Sequence, residues 1–121
     1  MPEAQSPKLY DLEERTLLFA KKTRELIKKL PKNNTNYEDC SQLTRSSGSI
    51  GANYIEANES LSKKDFVMRI KISRKESKET IYWLKLIDTL ENLDLEKLRQ
   101  ELIDEATQLM KILSSIMRKS E

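Results

Sequence analysis

Ser41 to Ala57 reads SQLTRSSGSIGANYIEA and holds both of the chain's glycines, Gly48 and Gly51. It still reads as the middle of a helix. Cys40, Leu43, Ser47, Ile50, Tyr54, Ala57 and Leu61 recur at alternating steps of three and four, the spacing of one helical face. A glycine inside a helix costs about 1 kcal/mol relative to alanine. Two of them, with Ser46, Ser47, Ser49 and Ala52 around them, point to a surface that another backbone approaches closely.

Helical patterns continue on both sides of this stretch. Upstream, Asp11 opens a helix with Glu14 as its capping-box partner. Leu9, Leu12, Thr16, Phe19, Thr23, Leu26 and Leu30 form its stripe, widened by Leu17, Ala20 and Ile27. Pro31 ends it, and Pro31 to Asn36 is a polar loop with Thr35 or Asn36 as the next cap. The glycine-bearing helix runs to about Asn58 or Leu61. Ser62 and Asp65 then open a third helix with Phe66, Ile70, Ser73, Ser77, Thr80, Leu84 and Ile87 on one face, flanked by Val67 and Ile81. A turn at Glu91 to Asp94, with Asp94 as cap, leads to a fourth. Leu95, Leu98, Leu102, Leu109, Ile112 and Ile116 line it, with Ile103, Ala106, Met110, Leu113 and Met117 alongside. The expected fold is all-α: an antiparallel up-down-up-down four-helix bundle over residues 9–121, preceded by a disordered tail at 1–8.

The composition narrows the chemistry. The chain has 121 residues, a net charge of +2, one cysteine and no histidine. That length suits a single domain with a real core. Without histidine there is no general base near neutrality, no catalytic triad and no di-iron Glu-x-x-His pair. One cysteine cannot build a zinc site. The glycines form no phosphate loop, since no Lys-Ser/Thr follows them. We therefore expect no enzyme activity, no catalytic residues, no cofactor and no metal. Cys40 reads as a small buried hydrophobe rather than a reactive thiol. No stretch reaches the roughly 20 apolar residues of a membrane span, and the opening MPEAQSPKLY lacks the apolar core of a signal peptide. A reducing cytoplasm is the expected setting, with no membrane partner.

Two surfaces stand out. Arg45, Ser49, Ala52 and Glu56 share one side of the second helix, beside Gly48. Arg45 and Glu56 are too far apart to pair along the helix, so we read Arg45, Gly48, Ser49, Ala52 and Glu56 as an interface between subunits, with Arg45 in a charge-assisted contact there. On the basic third helix, Lys64, Lys71, Lys75, Lys78 and Lys85 recur at helical spacing with Tyr82 between the last two. The simpler reading is a solvated face. The sharper one is a lysine stripe that follows an RNA or DNA backbone, with a stacking ring.

Several of these residues resemble a known family. Ser41-Gln42-Leu43, Arg45, Ser49-Ile50, Ala52-Asn53, Ile55-Glu56 and Ser62-Lys63-Lys64-Asp65-Phe66 are similar to the motif of the four-helix bundle proteins encoded in intervening sequences of bacterial 23S ribosomal RNA genes. Asp11-Leu12, Lys22 to Lys32 with its Leu30-Pro31 end, and Ser77-x-Glu79-Thr80 fit as well. The resemblance implies a homo-oligomeric ring, a pentamer, with no catalytic residues and a partner that is RNA or protein. The accessory protein of diversity-generating retroelements, a basic pentamer that binds nucleic acid and a reverse transcriptase, looks like a relative. This chain departs from the pattern at Ala57, where the family has glycine after the glutamate, and in its modest net charge.

Overall fold

The computed structural model describes residues 8–121, with side chains from Leu12 onward. Residues 1–7 of the expected tail, the place of Leu9 on the first stripe and the capping side chain of Asp11 lie outside the described residues, whereas Lys8, assigned to that tail, is helical. Four helices follow one another: α1 Lys8–Lys29, α2 Asn34–Asn58, α3 Lys63–Leu86 and α4 Leu93–Ser120. No strand occurs among the described residues. Cross-helix contacts run in opposite senses along neighbouring helices. Asn58 meets Glu13 while Arg24 meets Thr44, and Arg69 meets Asn53 while Thr80 meets Ser46. Each helix packs on the next, and α4 returns to α1. This is the cyclic order of an up-down-up-down bundle.

Three helix starts differ from their expected places. The α1 backbone is already helical at Lys8, so Asp11 lies inside the helix and does not cap it. No glycine or proline separates Lys8 from Asp11 to interrupt the pattern. Asn33, not Thr35 or Asn36, caps α2: its Oδ1 accepts the Asn36 N–H at 2.9 Å. The Asn36 side chain is used elsewhere. It donates to the carbonyls of Pro31 (3.1 Å) and Asp88 (2.7 Å) and accepts the Asp88 N–H (2.8 Å). A buried amide thereby ties the α1–α2 loop to the α3–α4 loop. At α4 the cap is Asn92, whose Oδ1 accepts the Leu95 N–H at 3.0 Å. Asp94 sits in the first turn, where its charge suits the helix dipole. Ser62 caps α3 as expected, accepting the Asp65 N–H at 3.1 Å.

The predicted stripes form the core. Leu12, Phe19 and Leu26 of α1, and Leu30 just past its end, pack with Leu43, Ile50, Tyr54 and Ala57 of α2, and with Ile70, Leu84 and Ile87 after them. In α4 the buried line is Leu95, Leu102, Ala106, Leu109 and Leu113, which runs between the two expected stripes. The flanking Leu98, Ile103, Ile112, Ile116 and Met117 are half-buried against it. Leu61, expected to continue the α2 stripe, lies beyond the helix end and is exposed.

Candidate interaction surfaces

The small residues of α2 are approached by two backbones, both from the same chain. A Cβ added at Gly51 would stand 2.7 Å from Thr16 Oγ1 and 3.1 Å from Thr16 Cβ on α1. On the other side Ser73 Oγ of α3 donates to the Ile50 carbonyl at 2.7 Å, and Thr80 Oγ1 donates to Ser46 Oγ at 2.9 Å. Serine, threonine and glycine let α1 and α3 close on α2 while their hydroxyls stay hydrogen-bonded. Gly48 is looser: a Cβ there would meet only the tip of Arg24, at 3.4 Å.

The carboxylates that Arg45 meets also belong to its own chain. Its guanidinium reaches Glu79 at 2.7 Å and Glu76 at 3.3 Å on α3. Glu76 is only 8% exposed, so Arg45 supplies the countercharge that a buried carboxylate needs. The hydrogen bond to Glu76 in turn raises the Arg45 pKa above its ordinary value. The sequence reading missed Glu76, although it falls between Ser73 and Thr80 on the buried side of α3. Of the other residues assigned to the α2 surface, Ala52 and Glu56 are exposed and Gly48 and Ser49 half-buried.

Beside that surface runs an apolar edge. Glu13, Leu17, Ala20, Arg24 and Ile27 recur on the side of α1 turned to α2, fixed there by the Glu13–Asn58 bond and the contacts of Arg24. Thr44, Gly48, Gly51, Ile55 and Asn58 form the facing side of α2. Leu17 and Ile55 remain 57% and 47% exposed on this edge. Towards the loop end it opens into a groove lined by Ile27, Leu30, Pro31, Tyr37, Cys40 and Thr44. Cys40 is half-buried, and burial pushes its thiol pKa up.

On α3, Lys64, Lys71, Lys75, Lys78 and Lys85 are all exposed, as is Tyr82. Met68 falls on the same stripe and is exposed too. Only Lys71 of the five lysines meets a carboxylate among the described residues, Glu121 at 3.8 Å. The Tyr82 ring stands edge-on to Trp83, with centroids 5.0 Å apart. At the loop end of α3, Leu90 and Glu91 have φ of 54° and 62°, a backbone state with no signal in their side chains. No group of three or more potential metal ligands gathers among the described residues, and no described helix is long and apolar enough to cross a membrane.

No curated protein matches this sequence. Among solved structures, the chain is similar to the crystal structure of a protein of unknown function from the S23 ribosomal protein family of Bacteroides thetaiotaomicron. The two share 32% identity over 93% of this chain and 99% of that one, with a TM-score of 0.80. The model of the 23S rRNA-intervening sequence protein family matches residues 10–115, and the chain belongs to that family.

Proposed function

We propose that this chain is a non-enzymatic interaction protein of the cytoplasm whose subunits assemble with one another, in a ring of five as the family resemblance implies. The observation that carries the reading is the α1–α2 edge. Leu17 of α1 and Ile55 of α2 stand half in water on that edge, with the small residues Gly48 and Ala52 on the same helix as Ile55. A monomer gains nothing from that arrangement, whereas a second subunit would bury it. Internal packing accounts for Gly51 but leaves room at Gly48. Light scattering should give the mass of an oligomer for the wild type. Gly48→Leu should give monomers with unchanged helix content, because inside the subunit a Cβ at this position meets only the end of Arg24 and leucine is the better helix former. A wild-type mass for that variant would remove the α2 surface from the interface.

The exposed α3 stripe supports a second reading, a nucleic-acid-binding accessory role. Lys64, Lys71, Lys75, Lys78 and Lys85 lie in one line with Tyr82, and a ring would repeat the line in every subunit. Filter binding of RNA at two salt concentrations should then show a steep salt dependence. Replacing Lys71, Lys75 and Lys78 with Glu should abolish it. Retention that survives the triple substitution would refute this role for the stripe.

A further inference from the structure

We propose that the groove between the start of α3 and the end of α4 takes an acidic peptide of a protein partner, with its apolar side chains on Val67 and Met68 and its carboxylates on Lys63, Lys64 and Lys71. This goes beyond both readings above and needs neither a ring nor bound RNA.

The groove lies at the end of the bundle where α3 begins and α4 stops, and it encloses about 630 Å³. Val67, half-buried, and Met68, 50% exposed, give it an apolar floor. Lys63, Lys64 and Lys71 line it, and all three are exposed. From Lys64 to Lys71 the helix rises about 10 Å, with Met68 between them on the same face, so cations border both ends of the floor.

The fold does not need these lysines where they are. Lys63 and Lys64 stand in the first turn of α3, where the helix dipole disfavours positive charge and only Asp65 suits it. Asp65 falls one turn before Arg69, which bonds Asn53 of α2, so it lies on the side away from α4. Among the described residues neither Lys63 nor Lys64 meets a carboxylate, whereas Lys71 meets that of Glu121 at 3.8 Å. Arg118 and Lys119, in the last turn of α4, add to the positive field at this end.

The Glu121 contact shows which chemistry the groove accepts. Its side chain lines the groove and its carboxylate sits on Lys71, with both side chains about half exposed. A pair so open to water is weak, so a ligand carrying several carboxylates displaces it. A nucleic acid fits this groove less well. The floor is aliphatic, and Tyr82, the ring on which a base would stack, stands about 16 Å further along α3 than Lys71. An acidic peptide with apolar side chains supplies partners for the floor and for the lysines together.

The test is fluorescence anisotropy of a labelled peptide, DELELDE, with the full chain at about 0.15 M salt, where long-range attraction is screened. The peptide should bind, and its serine version, DESESDE, should bind about tenfold more weakly. Met68→Ser should weaken DELELDE about fivefold, and Lys63→Glu combined with Lys64→Glu should abolish its binding. Lys85→Glu, at the other end of α3, should leave it unchanged. Glu121→Gln should strengthen it by up to about fivefold, because a competing carboxylate is lost. The substituted side chains are exposed, so dichroism should report the same helix content throughout. No binding of DELELDE overturns the proposal. Equal binding of the two peptides, or an equal loss with Lys85→Glu, means unspecific attraction and overturns it as well. Oligouridine held through Lys63 and Lys64 in place of the peptide would assign the groove to the nucleic-acid stripe instead. None of these results changes the solution mass on which the assembly reading stands.

Discussion

Replacing Gly51 with alanine sets helix propensity against packing. Propensity alone favours the variant by about 1 kcal/mol. The new methyl, however, would stand 2.7 Å from Thr16 Oγ1 and 3.1 Å from Thr16 Cβ. Rotating the hydroxyl away would break its bond to the Glu13 carbonyl at 3.0 Å and would leave the Cβ where it is. Thr16 is buried and β-branched, so α1 itself must shift and loosen the packing of Leu12 and Phe19. Overpacking of this kind costs about 1–3 kcal/mol, so the net effect is a loss of roughly 1 kcal/mol, a few degrees of melting temperature at this size. Gly48→Ala is the internal comparison. Its methyl meets only the mobile end of Arg24 at 3.4 Å, and it should gain about 1 kcal/mol. Urea unfolding followed by dichroism at one protein concentration should place the two variants about 2 kcal/mol apart, with wild type between them. Gly51→Ala as stable as Gly48→Ala would show that α1 does not press on α2 at Thr16.

Arg45→Met should cost about 1–2 kcal/mol, less than a fully buried pair because Arg45 is half exposed, since it leaves the buried Glu76 carboxylate without its guanidinium. Adding Glu76→Gln should recover much of that loss in urea unfolding; no recovery would mean that Arg45 acts through Glu79 or through packing. Glu96 accepts hydrogen bonds from Arg99 and from Thr89, which hold its pKa below the usual carboxylate range. A depressed carboxylate pKa contributes stability above the unfolded value, and that contribution is lost as pH falls through the folded value. Glu96→Gln should therefore be less stable than wild type at neutral pH and converge with it in acid; a gap independent of pH would contradict the assignment.

Fold class and core were legible because they depend on periodicity, which a single sequence displays. The heptad steps of Leu12, Thr16, Phe19, Thr23, Leu26 and Leu30 became a buried line with every member in place. Caps were less legible, because Asn33, Thr35 and Asn36 have similar intrinsic capping ability. What decided among them was the Asp88 backbone, 52 residues away, which claims the Asn36 amide. The same holds at α4, where Asn92 and Asp94 are both good caps and tertiary geometry chose the first. Leu90 gave no warning, since nothing in a leucine announces a positive φ.

The motif in α2 shows a different limit. Its residues signalled close approach, yet one sequence cannot say whose backbone approaches. Inside the subunit, Thr16 accounts for Gly51, the Ser73 hydroxyl bonds the Ile50 carbonyl, and Glu76 and Glu79 account for Arg45. These residues would be required even in a solitary bundle. Ala52 and Glu56 stand in solvent, and neither core packing nor a described hydrogen bond or ion pair uses their side chains. Leu17, Ile55 and Leu90 add apolar area in water that the fold does not need. An interface is therefore best sought where motif or apolar residues are left over after the fold has been explained. On this chain Leu17 and Ile55 are such leftovers on α1 and α2, and Leu18, Met68 and Tyr82 add others on α1 and α3, so the search begins beside the motif, where Ala52 and Glu56 are left over too.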